Sequence, residues 1–314
     1  MAFNIHEEIR KNKRQSNFII FIFFIFIALV AGAVGVIISF WKTNGINIPT
    51  IISAAIIGLI ASFLYVWMFM SQGDNWILQS TGAKPASRTH YPHLFHSVEA
   101  LSIAAGMKTV PKCYVIEDSA LNAYATGFTP EKSYVVVTTG LLKVLNREEI
   151  EGVLAHEISH IVNRDIKVML LAAGLVGVTV FISDILLHMF WFGGRSSGGG
   201  GSNDDNKLGF IMIAVAILLI ILSPIVANLL KLAISRKREY LADASGAKLT
   251  RYPEGLASAL EKISNDPDPL VDKANKATAH LFISSPFRKG LLTGMFSTHP
   301  PIKERIRILR GKKQ

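Results

Sequence analysis

The chain has 314 residues, half of them apolar, a formal charge of +10 and a single cysteine. That length holds one sizeable domain or two small ones, and the apolar share exceeds what a soluble domain needs, which points to a membrane protein with a soluble part. One cysteine, Cys113, excludes an internal disulfide; it lies in a strand-like run and reads as a buried small hydrophobe.

The basic residues gather beside apolar runs. Arg10, Lys11, Lys13 and Arg14 precede the first, and Lys231, Arg236, Lys237 and Arg238 follow the last. This is the pattern of cytoplasmic flanks meeting anionic headgroups of a lipid bilayer. It argues against nucleic acid, since no interleaved aromatic or recognition motif is present.

Four apolar stretches follow in chain order: Asn17 to Trp41, Ile46 to Met70, Val168 to Phe192 and Leu208 to Leu230. Each is long enough to cross a hydrocarbon core of about 30 Å. The first lacks a small-residue cleavage site and reads as an anchor. The third contains Asp184 and His188, and the fourth Pro224 and Asn228; these two either span or form a buried hairpin. Four spans put both termini on one side, and the basic flanks make it the cytoplasm. The chain then divides into residues 1–70 (arm and two spans), 71–167 (first soluble part), 168–230 (membrane hairpin with a Gly/Ser-rich loop) and 231–314 (second soluble part).

In the first soluble part, Leu94, Val98, Leu101 and Ala105 mark an amphipathic helix ended by Gly106. Short strands are predicted over Lys112 to Glu117, Asn122 to Thr126 and Ser133 to Thr138. A helix then starts at Asn146, with Glu149 completing a capping-box pattern. The second soluble part is mainly helical and ends in a helix after "HPP", with Ile302, Ile306 and Leu309 on one stripe.

The helix from Asn146 carries "AHEISHIVNRD". His156 and His160 are one turn apart on one face, so both imidazoles can hold one Zn²⁺. Zinc acidifies a water, and Glu157, next to the first ligand, can take its proton. A third ligand must come from a neighbouring element. Glu239 in "SRKREYLADASG" is a candidate, with Asp243 one turn on as an acceptor from a ligand histidine's other N–H. The same charges equally describe a solvated face paired with Arg236 and Lys237, and charge pattern alone favours that reading. His90, His93 and His96 read as surface residues around Pro92; His6 lies in the polar arm.

"AHEISHIVNRD", "SRKREYLADA", "LNAYATG" and "STHPPIKERI", in this order between apolar segments, resemble the HtpX family of membrane zinc proteases, relatives of the CAAX prenyl proteases. The resemblance implies an α+β fold: four transmembrane helices plus a mainly helical gluzincin-like domain with a small β-sheet, facing the cytoplasm of a bacterial cell membrane. It implies His156, His160 and Glu239 as zinc ligands and Glu157 as catalytic base. It places Asn122, Ala123, Tyr124 and Ala125 near the cleft, either as an edge strand pairing with extended substrate or as an ordinary sheet strand. His299 resembles a histidine that stabilises the oxyanion, or it caps the last helix; His280 is undecided. Asn163 and Asp165 read as structural, holding the end of the zinc helix.

The function this suggests is quality control: a zinc endopeptidase hydrolysing misfolded or damaged membrane proteins under stress. The alternatives are a narrow-specificity processing protease and a non-catalytic membrane scaffold.

Overall fold

A computed structural model describes residues 5–43, 45–172, 174–175, 177–178, 236–267, 281–284 and 300–311. Contacts divide the chain into two units: residues 1–16, 72–170 and 232–314, and residues 17–71 with 171–231.

The second of these is built on two long helices, α1 (Ile5–Thr43) and α2 (Ile48–Ser80). Arg10–Val36 of α1 has a mean hydropathy of 3.0 and α2 one of 2.2, so both are long and apolar enough to cross a membrane. Small residues let them approach closely: Gly35 lies against Ile51 and Ala54, and Gly58 against Ala31. Phe21, Leu29, Ile57 and Trp67 point outward, each about 60 % exposed or more, which suits lipid rather than water. Of the third and fourth apolar stretches, residues 168–172, 174–175 and 177–178 are helical. The remainder, with Asp184, His188, Pro224 and Asn228, lies outside the described residues.

The first unit combines a small sheet with helices. Strands β1 (Lys84–Pro85), β2 (Lys112–Ile116), β3 (Ala123–Thr129) and β4 (Lys132–Thr138) stand in the order β1-β2-β4-β3. β2 and β4 are parallel, and the other two pairings are antiparallel. The three longer strands overlap the predicted runs, with β3 extending on to Thr129 and β4 starting at Lys132. Gly127, whose φ is +132°, sits inside β3. A Cβ there would meet the Lys132 carbonyl oxygen at 2.3 Å, so glycine is required by both conformation and space.

Helix α3 (Pro92–Ala104) buries Leu94, Val98 and Leu101 and stops at Gly106, with φ +69°. The short α4 (Thr139–Val144) leads into α5 (Arg147–Val162), which is central. α5 packs against α3, the sheet, α6 (Arg236–Thr250) and α7 (Pro253–Ser264). Burial of Val153, Leu154, Ala155, Ile158 and Ile161 holds it there. It approaches α7 closely: a Cβ on Gly152 would lie 2.5 Å from the Leu256 backbone nitrogen. The last helix, α8 (Ile302–Leu309), packs on α7 and α6. Its stripe of Ile302, Ile306 and Leu309 is only half-buried, and its one buried residue is Arg305.

Candidate metal centre

The start of α5 is fixed locally. Asn146 Oδ1 accepts from the Glu149 N–H at 2.9 Å, and Glu149 Oε2 accepts from the Asn146 N–H at 2.9 Å, a complete capping box. Lys262 of α7 donates to the same Glu149 oxygen at 2.7 Å. From this start the helical period carries His156 and His160 onto one face, where their rings meet edge to face at 4.7 Å.

Each ring is oriented through Nδ1. His156 Nδ1 lies 3.0 Å from Asp243 Oδ1, and His160 Nδ1 lies 3.1 Å from Asp165 Oδ2. Assigning the tautomers from this network puts a proton on each Nδ1 and leaves each Nε2 as an acceptor. The two Nε2 atoms face one another at 3.2 Å. Two lone pairs so close repel unless a cation or a proton lies between them.

Helix α6 brings the carboxylates. Glu239 Oε2 is 3.8 Å from His156 Nε2, and Oε1 is 3.6 Å from His160 Nε2. Asp243, one turn on, lies on the same face. Gly246 permits the approach, since a Cβ there would stand 3.0 Å from the His156 backbone nitrogen. His156, Glu157, His160, Glu239 and Asp243 are all buried.

Burial pushes the His156 imidazole down to about 4, helped by the charges of Arg305 and His160 and opposed by Asp243. Burial acts the same way on His160, but the bond to Asp165 and the charges of Glu239, Asp165 and Glu157 outweigh it and hold it at about 9.

Do these residues fit a metal? The ligand atoms of His156, His160 and Glu239 lie within 4.8 Å of one another. Tetrahedral ligands at about 2.0–2.1 Å from zinc stand roughly 3.3–3.4 Å apart. The observed 3.2, 3.6 and 3.8 Å fit with small adjustments. Two imidazoles and a carboxylate form a three-donor set of the kind found at catalytic zinc.

Two residues at this centre are not singled out by the sequence as participants. Asp165, read as structural, takes the Nδ1 proton of His160. Arg305 is fully buried and forks Asp243: Nε donates to Oδ2 at 2.8 Å and Nη2 to Oδ1 at 2.7 Å. Its Nη1 lies 3.6 Å from Glu239 Oε2. Burial works against the Asp243 carboxylate, but Arg305 and His156 hold it down at about 2. The one sequence signal for Arg305 is a charge inside the apolar stripe of α8.

The remaining expected residues are placed as follows. Asn122 precedes β3, and Ala123, Tyr124 and Ala125 lie within it at the sheet edge. All four are buried. The Ala123 carbonyl accepts from the Ile283 N–H at 2.9 Å, and Asn122 Nδ2 donates to the Ser284 carbonyl at 3.2 Å. Part of this edge is thus occupied by residues 281–284 of the same chain. The Tyr124 hydroxyl bonds Thr81 Oγ1 at 2.6 Å. His90, His93 and His96 are exposed. His280 and His299 lie outside the described residues.

A family model described as Peptidase family M48 matches residues 90–313. The chain belongs to peptidase family M48. It is similar to proteins named "Protease HtpX homolog". That of Dictyoglomus turgidum is 45 % identical over 312 residues, covering 98 % of this chain and 95 % of the relative. That of Streptococcus gordonii is 40 % identical over 306 residues, covering 98 % and 99 %. Among solved structures, the crystal structure of S. mikatae Ste24p matches with a TM-score of 0.44 and 23 % identity. The match covers 79 % of this chain and 57 % of that one. As an M48 member the chain is a metalloprotease, a hydrolase. With its two long apolar helices, the assignment supports a membrane metalloprotease.

Proposed function

We propose that this chain is an integral membrane zinc endopeptidase that cleaves misfolded or damaged membrane proteins. The observation that carries the reading is the convergence of His156 Nε2, His160 Nε2 and a Glu239 oxygen, with both histidine Nδ1 atoms already engaged by carboxylates. His156, His160 and Glu239 would hold the ion. Zinc is favoured over other divalent ions by the mix of nitrogen and oxygen donors.

When bound, the ion supplies Lewis acidity to a peptide carbonyl and to water. Glu157 takes the proton of the attacking water on its carboxylate and returns it to the leaving amine nitrogen. Asp243 and Asp165 keep both imidazoles in the Nδ1–H tautomer, so neither ligand can turn away. His299 steadies the negative oxygen that develops during attack. An extended substrate adds to the edge of β3. With Thr138 donating to the Asn122 carbonyl and Ile283 donating to that of Ala123, the next outward-facing backbone groups belong to Ala125.

The fold reading completed by this proposal is four transmembrane helices with a gluzincin-like domain in the cytoplasm of a bacterial cell. The basic residues flanking the apolar stretches support that orientation. Val168 begins the third stretch only eight residues after His160, across the turn at Arg164 that ends α5. That spacing supports a centre close to the membrane surface, where exposed loops of damaged membrane proteins would be within reach.

The test is hydrolysis of an unfolded protein by the detergent-purified, zinc-loaded chain beside Glu157→Gln. The expected result is cleavage by the parent alone, stopped by a chelator and restored by zinc, with metal retained in the variant. Equal inactivity of both with zinc bound would overturn the broad endopeptidase and favour a processing enzyme or a scaffold.

A further inference from the structure

The N-terminal arm of α1 reads in the sequence as a polar, lipid-facing flank. Lys11, Lys13 and Arg14 are indeed exposed, but Asn12 and Ser16 are buried at 2 % and 1 % exposure. An asparagine so deep must place its amide hydrogens, and both of them have acceptors. Asn12 Nδ2 donates to the Asn163 carbonyl at 2.8 Å and to Asp165 Oδ1 at 2.6 Å.

Asp165 divides its carboxylate between two jobs. Oδ2 takes the Nδ1 proton of His160, and Oδ1 receives the Asn12 amide. The turn that returns Asp165 to the histidine carries Arg164 at a φ of +57°. That is the left-handed region, costly for a residue with a Cβ and sustained only by surrounding contacts. Asn12 holds both sides of this turn, at Asn163 and at Asp165. A second link secures the arm: Arg238, 3.9 Å from Asp165 through Nε, donates through Nη2 to Gln15 Oε1 at 2.8 Å.

We propose that Asn12 is a positioning residue of the metal centre, acting from the N-terminal arm through Asp165 on His160. The inference rests on the reading of His160 as a metal ligand. It follows that the arm belongs to the metal-binding machinery as well as to the membrane anchor. Without the Asn12 amide, Asp165 loses the donor that fixes its rotamer. The turn at Arg164 relaxes, and His160 no longer meets the ion in one orientation. Partners beyond the ligands typically change metal affinity 10- to 100-fold.

The experiment uses the full chain in detergent. Zinc affinity is measured by competition with a chromophoric chelator, and the cobalt-substituted protein is examined by visible absorption. Asn12→Ala and the near-isosteric Asn12→Leu should bind zinc about tenfold more weakly and shift the cobalt bands. Ser16→Ala, equally buried on the arm, removes only a donor to the Asn12 carbonyl and leaves the Asn12 amide in place, so it should match the parent in both. Should Asn12→Ala fail to fold, Asn12→Leu decides. Folded Asn12 variants with parental zinc affinity and cobalt bands would overturn the inference and leave the metal centre standing. A parent chain that binds no stoichiometric zinc would overturn the metal centre itself, and this inference with it.

Discussion

Replacing Arg305 by methionine removes a guanidinium at similar side-chain volume. Asp243 then loses two charge-assisted hydrogen bonds, of 2.8 and 2.7 Å, in a site where both partners are buried. Each such bond contributes roughly 1.5–3 kcal/mol, and stranding one charge of a buried pair costs about 3–5 kcal/mol. Arg305 also stands 3.6 Å from Glu239, so its loss removes a positive charge that Glu239 and Asp243 share. We expect the metal-free chain in detergent to unfold roughly 10 °C lower, taking about 2–4 °C per kcal/mol for a unit of this size. Bound zinc should recover part of the loss, because the ion replaces the missing positive charge. Adding Asp243→Asn to Arg305→Met should also recover part, because the stranded charge is gone. The assay is thermal unfolding of the three chains with and without zinc. A loss below about 1 kcal/mol for Arg305→Met, or a double variant no better than the single, would refute the account of Arg305 as the counter-charge of the centre.

Three further outcomes are expected. Gly152→Ala forces a Cβ to within 2.5 Å of the Leu256 backbone nitrogen and should cost about 1–3 kcal/mol by overpacking α5 against α7; an unchanged denaturation midpoint would contradict that contact. Asn146→Ala removes the acceptor for the Glu149 N–H and should cost about 1 kcal/mol, read by the same assay, with Asn146→Asp close to the parent. Burial, helped by the charge of Glu99, pushes the Cys113 thiol up to about 12. Native protein at pH 8 should therefore resist a thiolate-specific reagent and react fully once unfolded; rapid native labelling would show that β2 opens.

What was legible in the sequence was local. The capping box needs residues three apart, and the histidine pair four apart, so both could be read before any fold was known. Short strands near 112, 123 and 133 are legible locally as well. Glu239 was less legible, because the charge pattern of "SRKREYLADASG" describes a solvated helix face equally well. The face is buried because its partners arrive from elsewhere. Arg238 meets Asp165 and Gln15, while Asp243 meets His156 and Arg305. Asn12 and Arg305 were out of reach for the same reason. Asn12 looks like any polar residue in a basic arm, and Arg305 like one of several cations in "KERIRILR". Only the packed chain shows that both lie inside. For Asn122 to Ala125 the sequence leaves an open edge and an ordinary sheet strand equally possible, and it does not announce the pairing with residues 281–284, since no regular pattern marks that segment.

The reach of these contacts along the chain has a consequence for timing. The histidine helix emerges from the ribosome about 145 residues before Arg305. At about 5–20 residues per second, that is an interval of roughly 7–30 s. Asp243 appears 62 residues before Arg305 and until then has no counter-charge from it; before Asp243 appears, the His156 ring has no carboxylate to lean on. The carboxylates around the histidine pair therefore gain their buried counter-charge only once α8 has been made.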